Sequence, residues 1–199
     1  MPDYIGKAVF LFVVAAWYGI RLPHLIRSRS TPVLVSRRGP LERALMAISG
    51  AGMGFIPFAY VAFGFGGFGD RPQGTAAILV GSALALASLA MFRLSHAALG
   101  RQWSVSLELR SRHELQTTGV YRYVRHPMYV AFWLWCVAQA FLLPNWIAGL
   151  SGALGFGCLY TFRVRREETM MVEHYGDRYR DYASRTPRLI PRIFAPGRA

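Results

Sequence analysis

Three stretches of this chain carry no charged side chain: residues 44–69, 74–92 and 127–162. A helix needs about 20 mostly apolar residues to cross roughly 30 Å of hydrocarbon, and each stretch meets that length. The last is long enough for two crossings and is broken at Pro144-Asn145, which predicts a tight helical hairpin. A further apolar segment, residues 4–22, contains a core like that of a signal peptide. No small-residue cleavage site precedes Arg21, so an uncleaved first helix is expected. In lipid the backbone polar groups must be satisfied within the chain. The expectation is an all-α, polytopic membrane protein of about five transmembrane helices. A composition of 53% hydrophobic and 17% charged residues agrees, because a soluble domain normally carries more charge.

The net charge of +13 would ordinarily suggest nucleic acid, but its placement does not. Of 23 Lys and Arg residues, six lie in residues 21–43, six in 93–125 and nine from 163 onward. That is the positive-inside pattern, reinforced by anionic headgroups, and it accounts for the basic loops without a nucleic-acid partner. Five spans then put the N-terminus outside, the C-terminus in the cytoplasm and every basic segment on the cytoplasmic face. Arginine far outnumbers the single lysine, Lys7, which suits the inner membrane of a bacterium. Two regions are expected. Residues 1–92 form a three-helix transmembrane part with one basic loop. Residues 93–199 form a catalytic part, made of a cytoplasmic loop, the hairpin at 127–162 and a helical, charged tail.

Several local features carry specific expectations. Trp17 and Tyr18 suit a membrane interface. Pro57 should kink the second span, and Gly50 and Gly54 have the spacing that lets helices approach closely. The glycines at 64, 66, 67 and 69 lack the strand and βαβ context of a phosphate loop, so that reading fails. Cys136 and Cys158 read as small buried hydrophobes rather than a disulfide. His113, His126 and His174 show no HxxH, HxxxH or HExxH spacing, so no metal is expected.

Two polar clusters sit where a span leaves the membrane. One is His113-Glu114-Leu115-Gln116, then Gly119-Val120-Tyr121 and Arg125-His126-Pro127-Met128-Tyr129; the other is Arg163 through Glu167-Glu168 to His174, Tyr175, Tyr179 and Tyr182. Ionisable groups at that depth tend to mark function. Plainer readings exist for each part: Arg125-His126 as a charge anchor, Pro127 as a helix starter, and Arg163 with Glu167 as a surface pair one turn apart. The three tyrosines could be an interfacial stripe.

Taken together and in order, Gly-Val-Tyr, Arg-His-Pro-x-Tyr, an apolar hairpin, Arg-x-x-x-Glu-Glu, Tyr-Gly-x-x-Tyr-x-x-Tyr and Pro-Arg-Leu-Ile-Pro resemble the isoprenylcysteine carboxyl methyltransferase family. The resemblance covers about residues 99–191. It departs at Ala131, where the family often has glycine. The resemblance implies S-adenosyl-L-methionine as methyl donor, in a cytoplasmic-facing cavity without a Rossmann sheet. His113, Glu114, Leu115, Gln116 and Tyr121 would lie along the cofactor, and His126, Pro127, Met128 and Tyr129 would form its other wall. Glu167 would hold a polar group of the cofactor and Arg163 would face the methyl acceptor, the two being the catalytic pair. Arg125 and Glu168 would support the pocket from behind.

Those residue types suit the task. A carboxylate can pair with an ammonium or an adenine amine, and tyrosine rings attract a sulfonium. A carboxylate acceptor is already ionised near neutral pH and needs no base, whereas an amine acceptor would need Glu167 or Glu168 to take its proton. The acceptor expected is amphiphilic, a prenylated cysteine carboxylate or something lipid-like, reached from the surrounding membrane lipids. Phospholipid amine methylation, a nicotinamide-dependent sterol or quinone reductase, and a non-enzymatic lipid-binding protein stay open as alternatives.

Overall fold

The computed structural model describes residues 4–28, 33–36, 39–100, 108–110 and 115–191. Its helices are α1 (Tyr4–Ser28), α2 (Pro40–Gly50), a π-helical turn (Ala51–Phe55), α3 (Ile56–Phe63), α4 (Thr75–Leu99), α5 (Pro127–Leu142), α6 (Trp146–Tyr175) and α7 (Asp177–Arg185). α1 packs on α4, α4 on α5, α5 on α6, and α6 on α2 with its π turn. Tyr4–Ile26, Pro40–Phe63, Thr75–Leu99 and Trp146–Tyr175 are long and apolar enough to cross a membrane. α5, at 16 residues, spans only about 24 Å, short of the hydrocarbon thickness. Four of the five expected spans thus reach full length and the fifth is a short apolar helix. One departure from all-α is a two-stranded antiparallel ribbon, β1 (Val33–Ser36) with β2 (Glu108–Arg110), joining the first two basic loops.

The C-terminal end of α5 is closed by side chains. Gln73 donates to the carbonyls of Phe141 (3.1 Å) and Leu142 (2.6 Å). Arg71 donates to those of Ala140 and, at 3.3 Å, Leu143. These are the orphan acceptors of a helix C-terminus. Asn145 caps α6 by accepting from the Ala148 N–H (2.9 Å) and donates to the Phe68 carbonyl and the Asp70 carboxylate, both at 2.8 Å. The Asp70-Arg71 turn is thereby zipped to the hairpin turn at Pro144-Asn145.

Pro57 acts through hydrogen-bond accounting more than through a bend. In the π turn the Ile56 N–H bonds the Ala51 carbonyl, one residue beyond the α-helical acceptor. The Gly52 carbonyl loses Ile56 as donor, and its next partner in the π register is Pro57, which has no N–H. The orphan is taken up by the Ser151 hydroxyl (2.7 Å) and the Gln139 amide (3.2 Å), both buried. This settles which glycine meets α6. A Cβ on Gly50 or Gly54 would meet nothing within 4 Å, whereas one on Gly52 would lie 2.2 Å from the Ser151 carbonyl oxygen. The expected Gly50/Gly54 contact is therefore corrected to Gly52, with Gly155 of α6 as its counterpart against Ile48. Gly52→Ala is expected to lower stability by about 1–3 kcal/mol through overpacking, and Gly54→Ala to stay within roughly 0.5 kcal/mol of the parent. Paired melting curves check this; equal curves would refute the contact.

Two smaller expectations are corrected. Trp17 turns inward onto Phe92 and Phe132, leaving Tyr18 outside at 69% exposure. Cys136 is buried as expected, but Cys158 lies exposed on α6.

Candidate functional site

α6 does not stop where its apolar stretch ends. It runs 30 residues without interruption to Tyr175, about 45 Å, carrying Arg163, Glu167 and Glu168 beyond the hairpin's apolar part. Because α5 is antiparallel to α6, its beginning is folded back beside those charges. Pro127 occupies the first turn of α5 and His126 its N-cap.

Glu168 is the knot. Its carboxylate receives Arg125 (Nη2 to Oε1, 2.8 Å; Nε to Oε1, 3.2 Å), Arg188 (Nη2 to Oε2, 2.6 Å) and lies 3.2 Å from His126 Nε2. Arg125 also donates from Nη1 to the carbonyls of Ala183 (2.7 Å) and Thr186, closing the C-terminal end of α7. The chain after α7 returns as a strap. The N–H groups of Arg125 and His126 donate to the carbonyls of Pro187 (2.8 Å) and Arg188 (3.1 Å). One carboxylate and one guanidinium therefore tie together α5, α6, α7 and the tail.

Glu167 is arranged differently. Its Oε2 accepts from the Tyr129 hydroxyl, its Oε1 lies 3.9 Å from His126 Nδ1, and its side chain keeps 25% exposure against 14% for Glu168. The His126 ring stacks on Tyr129 at 5.3 Å, and Tyr129 meets Tyr160 edge-on at 5.5 Å. Trp133 and Phe156 extend this aromatic wall, and Leu45, Met46 and Met53 pack against it from α2 and the π turn. Arg163 sits one turn before Glu167, half-buried and within electrostatic range of the Tyr129 hydroxyl.

The structure thus brings together Arg125, His126, Tyr129, Glu167 and Glu168, with Pro127 buried and Met128 half-buried on the first turn of α5. Tyr121 is buried beside them, and its carbonyl accepts from the Tyr182 hydroxyl at 2.6 Å. Burial raises the Tyr121 hydroxyl above its ordinary range and pushes that of Tyr182 up to about 12, so both stay protonated. Gln116 turns back onto Thr118 (2.8 Å), and Leu115 lines a separate open cleft. His113 and Glu114 lie outside the described residues. The interfacial-stripe reading of the tyrosines is overturned for Tyr179 and Tyr182: the first is buried and the second is bonded to Tyr121. Among the described residues no three His, Cys, Asp or Glu side chains gather closely enough to hold a metal ion.

Two residues escaped the sequence reading. Arg188 was visible only as part of Pro-Arg-Leu-Ile-Pro. Glu42, in the first turn of α2, is 1% exposed and lies within electrostatic range of Tyr129. Its sequence signal was one acid at the edge of a span.

A family model described as isoprenylcysteine carboxyl methyltransferase matches residues 77–173, which run from α4 to the Glu167-Glu168 segment of α6. Nearly half of the chain is thus similar to this family. Among its isoprenylcysteine methyltransferase relatives, the protein-S-isoprenylcysteine O-methyltransferase of Schizosaccharomyces pombe is 34% identical over 116 residues, 56% of this chain and 49% of the relative. The Homo sapiens protein of the same name is 35% identical over 89 residues, 45% of this chain and 31% of the relative. A nickel-cobalt-cadmium resistance protein of Alcaligenes xylosoxydans xylosoxydans is 31% identical over 110 residues, 55% of this chain and 51% of that protein. The chain therefore spans between about a third and a half of the length of the curated relatives it matches.

Proposed function

We propose that this chain is a membrane-embedded S-adenosylmethionine-dependent methyltransferase acting on an amphiphilic acceptor, a prenylated cysteine carboxylate or a lipid-like molecule, at the cytoplasmic face. The observation that carries this reading is the convergence of the Arg-His-Pro-x-Tyr corner with Glu167 across the α5–α6 hairpin. The charge pattern supports an outside N-terminus, a cytoplasmic C-terminus and placement in a bacterial inner membrane.

The residues present fit the donor. Glu168 is saturated by three partners, so Glu167 is the carboxylate with accepting capacity left for an ammonium or adenine amine. The His126 N–H is already spent on Arg188. The Met128 and Tyr129 N–H groups, in the first turn of α5, lack intrahelical acceptors by position and suit a carboxylate. The rings of Tyr129, Tyr160 and Trp133 provide an electron-rich wall for a sulfonium, worth about 0.5–2 kcal/mol. When bound, S-adenosylmethionine would supply an electrophilic methyl group for in-line transfer. The chain's share is to hold donor and acceptor collinear and keep water out. Arg163 would orient an acceptor carboxylate through its guanidinium fork, which lysine cannot reproduce. His113, Glu114, Leu115, Gln116 and Tyr121 complete the proposed donor side, with Arg125 and Glu168 bracing it.

A radiolabelled methyl-transfer assay against prenylcysteine analogues and total membrane lipids tests the proposal. The expected result is label in an amphiphilic product that disappears in Glu167→Ala. No transfer to any acceptor by protein that binds S-adenosylhomocysteine would point instead to a non-enzymatic role.

A further inference from the structure

A cavity opens between the turn at Gly119–Arg122 and α7, with a volume of about 490 Å³. Its walls include Thr117, Arg122, Arg178, Asp181, Tyr182 and Arg185. None of Arg125, His126, Tyr129, Glu167 and Glu168 reaches it. Its charge is lopsided. Arg185 pairs with Asp181 at 2.6 Å, which uses the one acid among the described residues of the lining. Arg122 and Arg178 come from opposite walls, one from the turn and one from the first turn of α7, and neither pairs with an acid among the described residues. Two arginines without an acid partner among the described residues therefore line one concave space.

Exposed arginines on a convex surface are ordinarily solvated and ask for no ligand. Here the backbone that carries them is fixed. Arg125 ties the C-terminal end of α7, and the Tyr182 hydroxyl anchors α7 to the Tyr121 carbonyl within the turn. The backbones that carry the two arginines are thus held on the same cleft, and a planar guanidinium fork suits phosphate oxygens. The space exceeds what inorganic phosphate fills and falls in the range of small-molecule sites. α7 follows directly on the helix that leaves the apolar bundle, which puts the cleft outside the apolar part of the bundle.

We propose that this cleft is an anion site for a phosphoryl group, held by Arg122 and Arg178, whose source is an anionic phospholipid headgroup or a free phosphate. Leu115, placed above on the proposed donor side, also lines this cleft, so the test must separate an anion from the cofactor. The test is melting of the full chain in an uncharged detergent, with short-chain phosphatidylglycerol, short-chain phosphatidylcholine or inorganic phosphate added. A rise with phosphatidylglycerol and not with phosphatidylcholine is expected, and a matching rise with phosphate would identify the free anion as sufficient. Arg122→Gln/Arg178→Gln should lose most of the rise, while Arg165→Gln/Arg166→Gln, elsewhere on α6, should keep it. If the first double variant does not fold, Arg122→Gln alone is read the same way. An equal rise in both double variants would mean non-specific attraction and overturn the site. So would no rise with either anion, or a rise abolished by saturating S-adenosylhomocysteine, which would give the cleft to the cofactor.

Discussion

Glu168→Ala is expected to lower stability by about 3 kcal/mol, the low end of what breaking a buried ion pair costs. By soluble-domain scaling that is a fall of about 6–12 °C in melting temperature. The cost is large because one carboxylate serves Arg125, Arg188 and His126, and its loss leaves the Arg125 guanidinium, 11% exposed, with backbone carbonyls only. The low end applies because Arg188 is 50% exposed and can turn to solvent. Glu168→Gln keeps acceptor oxygen without charge and should fall between the parent and alanine. Activity should fall with stability in both, since the 125–129 corner and the tail strap separate together. A melting temperature for Glu168→Ala within a degree of the parent would show that the knot holds nothing.

Arg163→Ala is expected to do the reverse: keep the fold and donor binding, and lose turnover by about 10²-fold or more, the scale of removing a group that positions a reactant. Arg163 lies on the same helical face as Glu167 one turn earlier, within electrostatic range of the Tyr129 hydroxyl. Arg163→Lys should restore little, because a point charge cannot reproduce the fork. The assay is methyl transfer at saturating donor with an identified acceptor, alongside S-adenosylhomocysteine binding. Unchanged turnover in Arg163→Ala would remove it from the acceptor side.

The hairpin and the corner were legible because prolines punctuate them: Pro127 starts α5 and Pro144 separates α5 from α6, as the sequence predicts. The helical stretch expected from residue 163 to about 182 is present, but its first part is continuous with α6 and it breaks at Gly176. Loss of hydropathy near residue 163 marks where lipid ends, not where the helix ends, and Arg165 to Glu168 are good helix formers. Gly176, at φ 58°, is the local stop that the motif string contained without announcing. Gly52 was missed because its importance depends on Ser151 and Gln139, distant partners that no local spacing encodes. Arg188 escaped for the same reason, since a tail between two prolines gives no periodicity to show which way it folds. The pairing of Tyr129 with Glu167 was anticipated only through the joint order of motifs; either segment alone reads as a charged helix end.

Binding of S-adenosylhomocysteine, followed by melting temperature, probes the shared donor site most directly. The parent should gain about 2.7 kcal/mol at a hundred times Kd by mass action, nicotinamide cofactors should give nothing, and Glu167→Ala should melt at one temperature with or without the ligand. A parent that melts unchanged, or a Glu167→Ala variant that rises like the parent, would contradict the account.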